Sequence, residues 1–91
     1  MKINQIDHVA INVTDFGKSI DFYARVLGLP QLQTVDCGEF DITYFTLPSG
    51  ARLELFNYHG KNQVATREES EVGLRHIAFQ VEDVARHEKL L

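Results

Sequence analysis

This chain repeats one of its own segments, and that repeat constrains its fold more than any other feature. A shift of 68 positions lays Leu74-Arg75-His76-Ile77-Ala78-Phe79-Gln80-Val81 on Ile6-Asp7-His8-Val9-Ala10-Ile11-Asn12-Val13. His8 meets His76, Ala10 meets Ala78, Val13 meets Val81 and Asp15 meets Asp83. Apolar residues answer apolar ones: Ile6 and Leu74, Val9 and Ile77, Ile11 and Phe79, Phe16 and Val84, Phe22 and Leu90. A shared pattern of this kind marks a repeated structural unit. The two histidines then occupy equivalent places on two copies of one strand.

Residues 5–13 alternate, which predicts a strand with Ile6, His8, Ala10 and Asn12 on one face. Asp7, Val9, Ile11 and Val13 take the other face, so His8 looks away from the apolar layer. Thr14 and Asp15 offer helix-capping side chains. Ile20, Phe22, Tyr23, Val26 and Leu27 then recur at helical steps, predicting an amphipathic helix of about 12 residues. Gly28 stands where a left-handed cap is wanted and Pro30 blocks continuation. Leu32 and Val35 suggest a second strand, broken around Cys37-Gly38-Glu39. Phe40–Leu47 and Ala51–Tyr58 alternate and are rich in aromatic and β-branched residues. Pro48-Ser49-Gly50 between them predicts a turn, and so an antiparallel hairpin. Residues 59–73 are polar, with Glu68, Glu69 and Glu71, and read as a linker with a solvated acidic face. The repeat comes next as a strand at 75–81, a capping Asp83 and the start of a helix with Val84, His87, Leu90 and Leu91.

The order is β-α-β-β-β over residues 1–58, then the opening β-α of a second unit over 74–91. The fold class is α+β: a sheet covered on one face by a helix, the other face free to cup a ligand. The second unit stops at its helix, so the chain is expected either to be a fragment or to complete itself with another copy. Exposed strand edges on a stranded half-unit point to a homodimer with pocket walls near the interface.

Composition narrows the partners. At 91 residues and 44% hydrophobic, this is a single globular domain able to build a core. Its net charge of −4, with no basic stripe, argues against nucleic acid and anionic membrane as partners. There is no apolar run long enough to span a bilayer and no signal-like N-terminus, which points to the cytoplasm. One cysteine, Cys37, excludes an internal disulfide and reads as a loop thiol or a small buried residue, not a nucleophile.

The stretch IDHVAINVTDFGKSIDFYARVLGL resembles the opening of the vicinal oxygen chelate superfamily. That superfamily holds glyoxalase I, bleomycin and fosfomycin resistance proteins, methylmalonyl-CoA epimerase and extradiol dioxygenases. A strand histidine is followed by a helix with Phe22-Tyr23 that ends Leu27-Gly28-Leu29. Leu53-Glu54-Leu55-Phe56 and the GLRHIAFQVEDV that opens the second unit complete the resemblance. It covers essentially the whole chain and is specific to the superfamily, not to one subfamily.

The resemblance implies paired βαβββ modules around one divalent ion, zinc, nickel, iron or manganese. Carried over position by position, its ligands are His8, Glu54 and His76, with Glu54 also the catalytic carboxylate. A fourth ligand belongs about 68 residues beyond Glu54, past Leu91. Imidazole and carboxylate suit such an ion, and three ligands leave room for substrate or water. The implied activity is lyase or isomerase chemistry on a small substrate with vicinal oxygens, with oxygen-dependent ring cleavage next. The alternative is a non-catalytic module that sequesters a small molecule.

Each of these residues also has a bland account. His8 and His76 can be strand histidines bonded to a neighbour. Glu54 can be a solvated residue paired with Arg52 on its own face. Asp15 and Asp83 are caps, and His59 and His87 are surface residues. Tyr44, Phe45 and Phe56 either pack the core or line an apolar pocket.

Overall fold

The first repeat unit forms the strand and helix its pattern predicts. The computed structural model describes residues 1–62, 70, 74 and 76–82. Strand β1 spans His8–Val13, shorter than the alternation, with the Asp7 carbonyl just before it accepting from the Arg52 amide at 3.0 Å. Helix α1, Phe16–Ile20, runs on into a π-helical stretch, Asp21–Val26. Its N-terminus is capped by the Asp15 carboxylate, which accepts from the Lys18 amide at 3.1 Å. The wider π turn closes through Leu27 N–H donating to the Phe22 carbonyl at 2.9 Å. Gly28 then reverses the chain at φ 68°, a conformation that costs a glycine little.

Three further strands complete the sheet: β2 (Gln31–Asp36), β3 (Asp41–Thr46) and β4 (Arg52–Asn57). Their order across the sheet is β1-β4-β3-β2. β2, β3 and β4 are antiparallel neighbours, while β1 runs parallel to β4. A 3-10 turn at Pro48–Gly50 makes the β3–β4 hairpin. This is a βαβββ module of the α+β class.

Alternation divides the sheet into two faces. Val13, Phe45, Leu53 and Leu55 are buried on the inner face, the last three at 0% exposure. Phe16, Ile20, Tyr23 and Ala24 of the helical segment pack onto them, and Val9 and Ile11 join from β1. Complete burial of an aliphatic or aromatic side chain contributes roughly 1.5–3 kcal/mol, so this layer holds the module together. Thr43 is also fully buried there, its hydroxyl bonded to Thr34 at 2.9 Å. Phe45 thus belongs to the core, whereas Tyr44 and Phe56 lie on the opposite, open face with Ile42, Arg52 and Glu54.

The second copy behaves differently. Of the strand expected at 75–81, the described residues 76–81 are irregular. A strand exists only as one side of a ladder. Residues 77–81 instead face Ile6, Val9, Leu27, Leu29 and Leu53 across an apolar cleft of about 550 Å3. Ile77 and Phe79 stay 38% and 43% exposed. The expected cap Asp83, the helix after it with His87, and the acidic run Glu68-Glu69-Glu71 lie outside the described residues. No helix among the described residues is long and apolar enough to cross a membrane.

Candidate functional site

β1 and β4 are parallel neighbours in a register that pairs His8 with Arg52 and Ala10 with Glu54. Residues two apart on adjacent strands share a face, so His8 and Glu54 are diagonal neighbours on the open side. Their side chains meet there: His8 Nε2 lies 3.8 Å from Glu54 Oε2. The histidine side chain is 49% exposed and the glutamate 13%.

The other imidazole nitrogen is held. His8 Nδ1 lies 2.8 Å from Asp7 Oδ2, close enough for the ring to donate a hydrogen bond to that carboxylate. Alternation had put Asp7 on the opposite face from His8. Asp7 lies just before the strand, its carbonyl accepting from the Arg52 amide at 3.0 Å, and its carboxylate turns to the ring. Adjacency of an aspartate and a histidine was the sequence signal for this contact. The Asp7 hydrogen bond, and then the Glu54 charge, raise the His8 pKa above its ordinary 6.5. The same hydrogen bond and the imidazolium charge lower that of Asp7.

Glu54 does not pair with Arg52, the ordinary role open to it. The Arg52 guanidinium lies over the Tyr44 ring instead, 5.6 Å from its centroid. Among the described residues, the basic group nearest Glu54 is therefore the His8 imidazole.

The predicted site residues are only partly brought together. His8 and Glu54 meet. His76 is exposed, and no group of three His, Cys, Asp or Glu residues able to hold an ion forms among the described residues. His59, expected at the surface, is exposed and lies 3.2 Å from Asp41 through its Nε2. Cys37 is an exposed free thiol. A second cleft of about 610 Å3 opens beside the end of β1 and the start of α1, lined by Asn12, Asp15, Lys18, Tyr23 and Asn62 among others. Neither cleft includes His8 or Glu54, so that pair stands on the open sheet face.

The pair can be tested for fit to a divalent ion. Protein nitrogen and oxygen ligands bind such ions at about 2.0–2.2 Å, so one ion can bridge two donors 3.8 Å apart. An imidazole that ligates through Nε2 commonly donates its Nδ1–H to a carboxylate, which fixes its tautomer and orientation. Asp7 does this for His8. The chemistry of these two donors fits an ion.

Comparison with known proteins agrees with this architecture. A family model described as Glyoxalase/Bleomycin resistance protein/Dioxygenase superfamily matches residues 5–90. The uncharacterized protein YwkD of Bacillus subtilis is 33% identical over 84 residues, covering 89% of this chain and 64% of that protein. The uncharacterized protein YaeR of Escherichia coli is 32% identical over 87 residues, covering 90% and 64%. The chain thus spans a little under two thirds of the length of these curated relatives. Among solved structures, a glyoxalase family protein from Enterococcus faecalis superposes with a TM-score of 0.77 at 30% identity, covering 94% of this chain and 68% of that one. With its βαβββ sheet and a family match over nearly its whole length, the chain belongs to the Glyoxalase/Bleomycin resistance protein/Dioxygenase superfamily.

Proposed function

We propose that this chain is a metal-dependent enzyme acting on a small substrate with vicinal oxygens, most simply by lyase or isomerase chemistry. The observation that supports it is the meeting of His8 Nε2 with Glu54 Oε2 at 3.8 Å, with Nδ1 already engaged by Asp7. His8 and Glu54 would hold a divalent ion such as zinc, nickel, iron or manganese. His76 would add the third ligand on assembly of a homodimer. Such an ion supplies Lewis-acid polarisation of two adjacent substrate oxygens.

The chain's own residues do the rest. Asp7 holds the His8 ring in the tautomer that leaves Nε2 free. The Glu54 carboxylate, only 13% exposed, is the group to accept a proton from a carbon beside the polarised oxygens. Partial burial strengthens its interaction with developing charge.

Zinc and nickel titrations of metal-stripped protein test the proposal. Losing even an outer partner of a metal ligand costs about ten- to a hundred-fold in affinity, so His8→Ala, Glu54→Gln and His76→Ala should each cost at least that. Unchanged affinity in His8→Ala and Glu54→Gln would sink the metal centre. A protein that takes up no metal but still binds small molecules would support the sequestering alternative. Light scattering reads the assembly, and a monomer at every concentration would remove His76 from the site.

A further inference from the structure

The open face holds a second, independent arrangement. In the sheet register its side chains fall into rows: His8, Arg52 and Thr46, then Ala10, Glu54 and Tyr44, then Asn12, Phe56 and Ile42. Arg52 is exposed and stacked over Tyr44, and no ion pair engages it among the described residues. Its charge is nonetheless felt at His8, where it opposes the rise in pKa, and at Asp7, where it adds to the lowering. At the far end, Phe56 stacks on Phe40 at 5.3 Å and 15°, and Phe40 on Tyr58 at 5.0 Å and 26°. A strand advances about 3.3 Å per residue, so Arg52, Glu54 and Phe56 set out a cation, a carboxylate and an aromatic wall over roughly 13 Å.

Each part has an ordinary explanation. Stacked rings can simply close the end of a hairpin, and an exposed arginine can be a solvated surface charge. Their order along one face is what gives them a joint meaning. A guanidinium oriented by a ring, with no carboxylate in ion-pair contact among the described residues, suits a planar carboxylate through two parallel hydrogen bonds. An apolar group on the same molecule would then reach the Phe56–Phe40 wall and pass over Glu54.

We propose that this face binds a small carboxylic acid bearing an apolar or aromatic ring, with Arg52 taking its carboxylate and Phe56 and Phe40 its ring. Placement of the reacting carbon at Glu54 rests on the metal-site proposal; the binding of the acid does not. Arg52 and Phe56 are then the residues that select the substrate.

The probe is 3-phenylpropanoate, compared with its uncharged amide, in NMR titrations of the metal-stripped chain. The acid should bind at least ten-fold more tightly than the amide, with shifts centred on β3 and β4. Arg52→Gln should abolish that preference, and Arg52→Lys should restore part of it. Phe56→Ala should weaken acid and amide alike. The preference is read in metal-stripped protein, which separates this proposal from the metal centre. Equal binding of acid and amide, no binding at millimolar concentration, a preference that survives Arg52→Gln, or shifts centred on the apolar cleft at Leu27 and Leu29 would each overturn it.

Discussion

β1 and its echo at 74–81 have nearly the same pattern and different fates. Segments 6–13 and 74–81 both alternate, and both place a histidine third. β1 forms six residues of parallel ladder with β4, from His8–Arg52 to Val13–Asn57. Residues 76–82 form none. Val13 is buried, and Val9 and Ile11 pack on the core. The matching Ile77 and Phe79 keep more than a third of their surface. Alternation therefore grants permission to be a strand, and an available partner edge over an apolar layer decides it.

The sharpest way to break this comparison is to remove the layer. Leu55→Ala empties a fully buried position on β4, in register with Ile11 of β1, and should cost about 2–5 kcal/mol, read from urea unfolding midpoints. Phe79→Ala, in the echo, should cost under about 1 kcal/mol despite deleting a larger side chain. Equal costs would mean that the echo is as well packed as β1.

A smaller effect tests the helix that leaves the first strand. Asp15 caps this helix, which covers the core, so Asp15→Ala should cost about 1 kcal/mol in the same measurement. Asp15→Asn, which keeps an oxygen acceptor, should recover most of that loss. A full loss in both variants would assign the effect to charge and not to the cap.

The smallest effect separates the two histidines. Asp7 precedes His8, but Arg75 precedes His76, and a guanidinium cannot accept a hydrogen bond from an imidazole. His8 should titrate above 6.5 by NMR in metal-free protein. Its contribution to stability is then complete below the unfolded value and fades as pH rises through the raised folded one. Asp7→Asn should bring the His8 midpoint down. A midpoint unmoved by that change would assign the rise to Glu54 alone.

Several elements were legible in the sequence. Spacing marked the helix and its Asp15 and Gly28 boundaries, and Pro48-Ser49-Gly50 marked the hairpin. Alternation set His8 opposite Val9, Ile11 and Val13, and Glu54 opposite Leu53 and Leu55. Those are local properties, carried by backbone preference and side-chain period. The repeat and the Leu53–Phe56 motif also pointed to the family.

What the sequence could not settle was pairing. It did not say that β1 would lie parallel beside β4, yet that choice alone brings His8 within reach of Glu54. Nor did it say that Arg52 would leave Glu54 for Tyr44, or that Asp7 would turn onto His8. The echo at 74–81 looked as strand-like as β1 on paper. Each of these outcomes depends on which residues distant in sequence arrive alongside, because hydrogen-bonded ladders, ring stacking and ion pairs all require two partners. One strand's pattern specifies only its own half of such a contact.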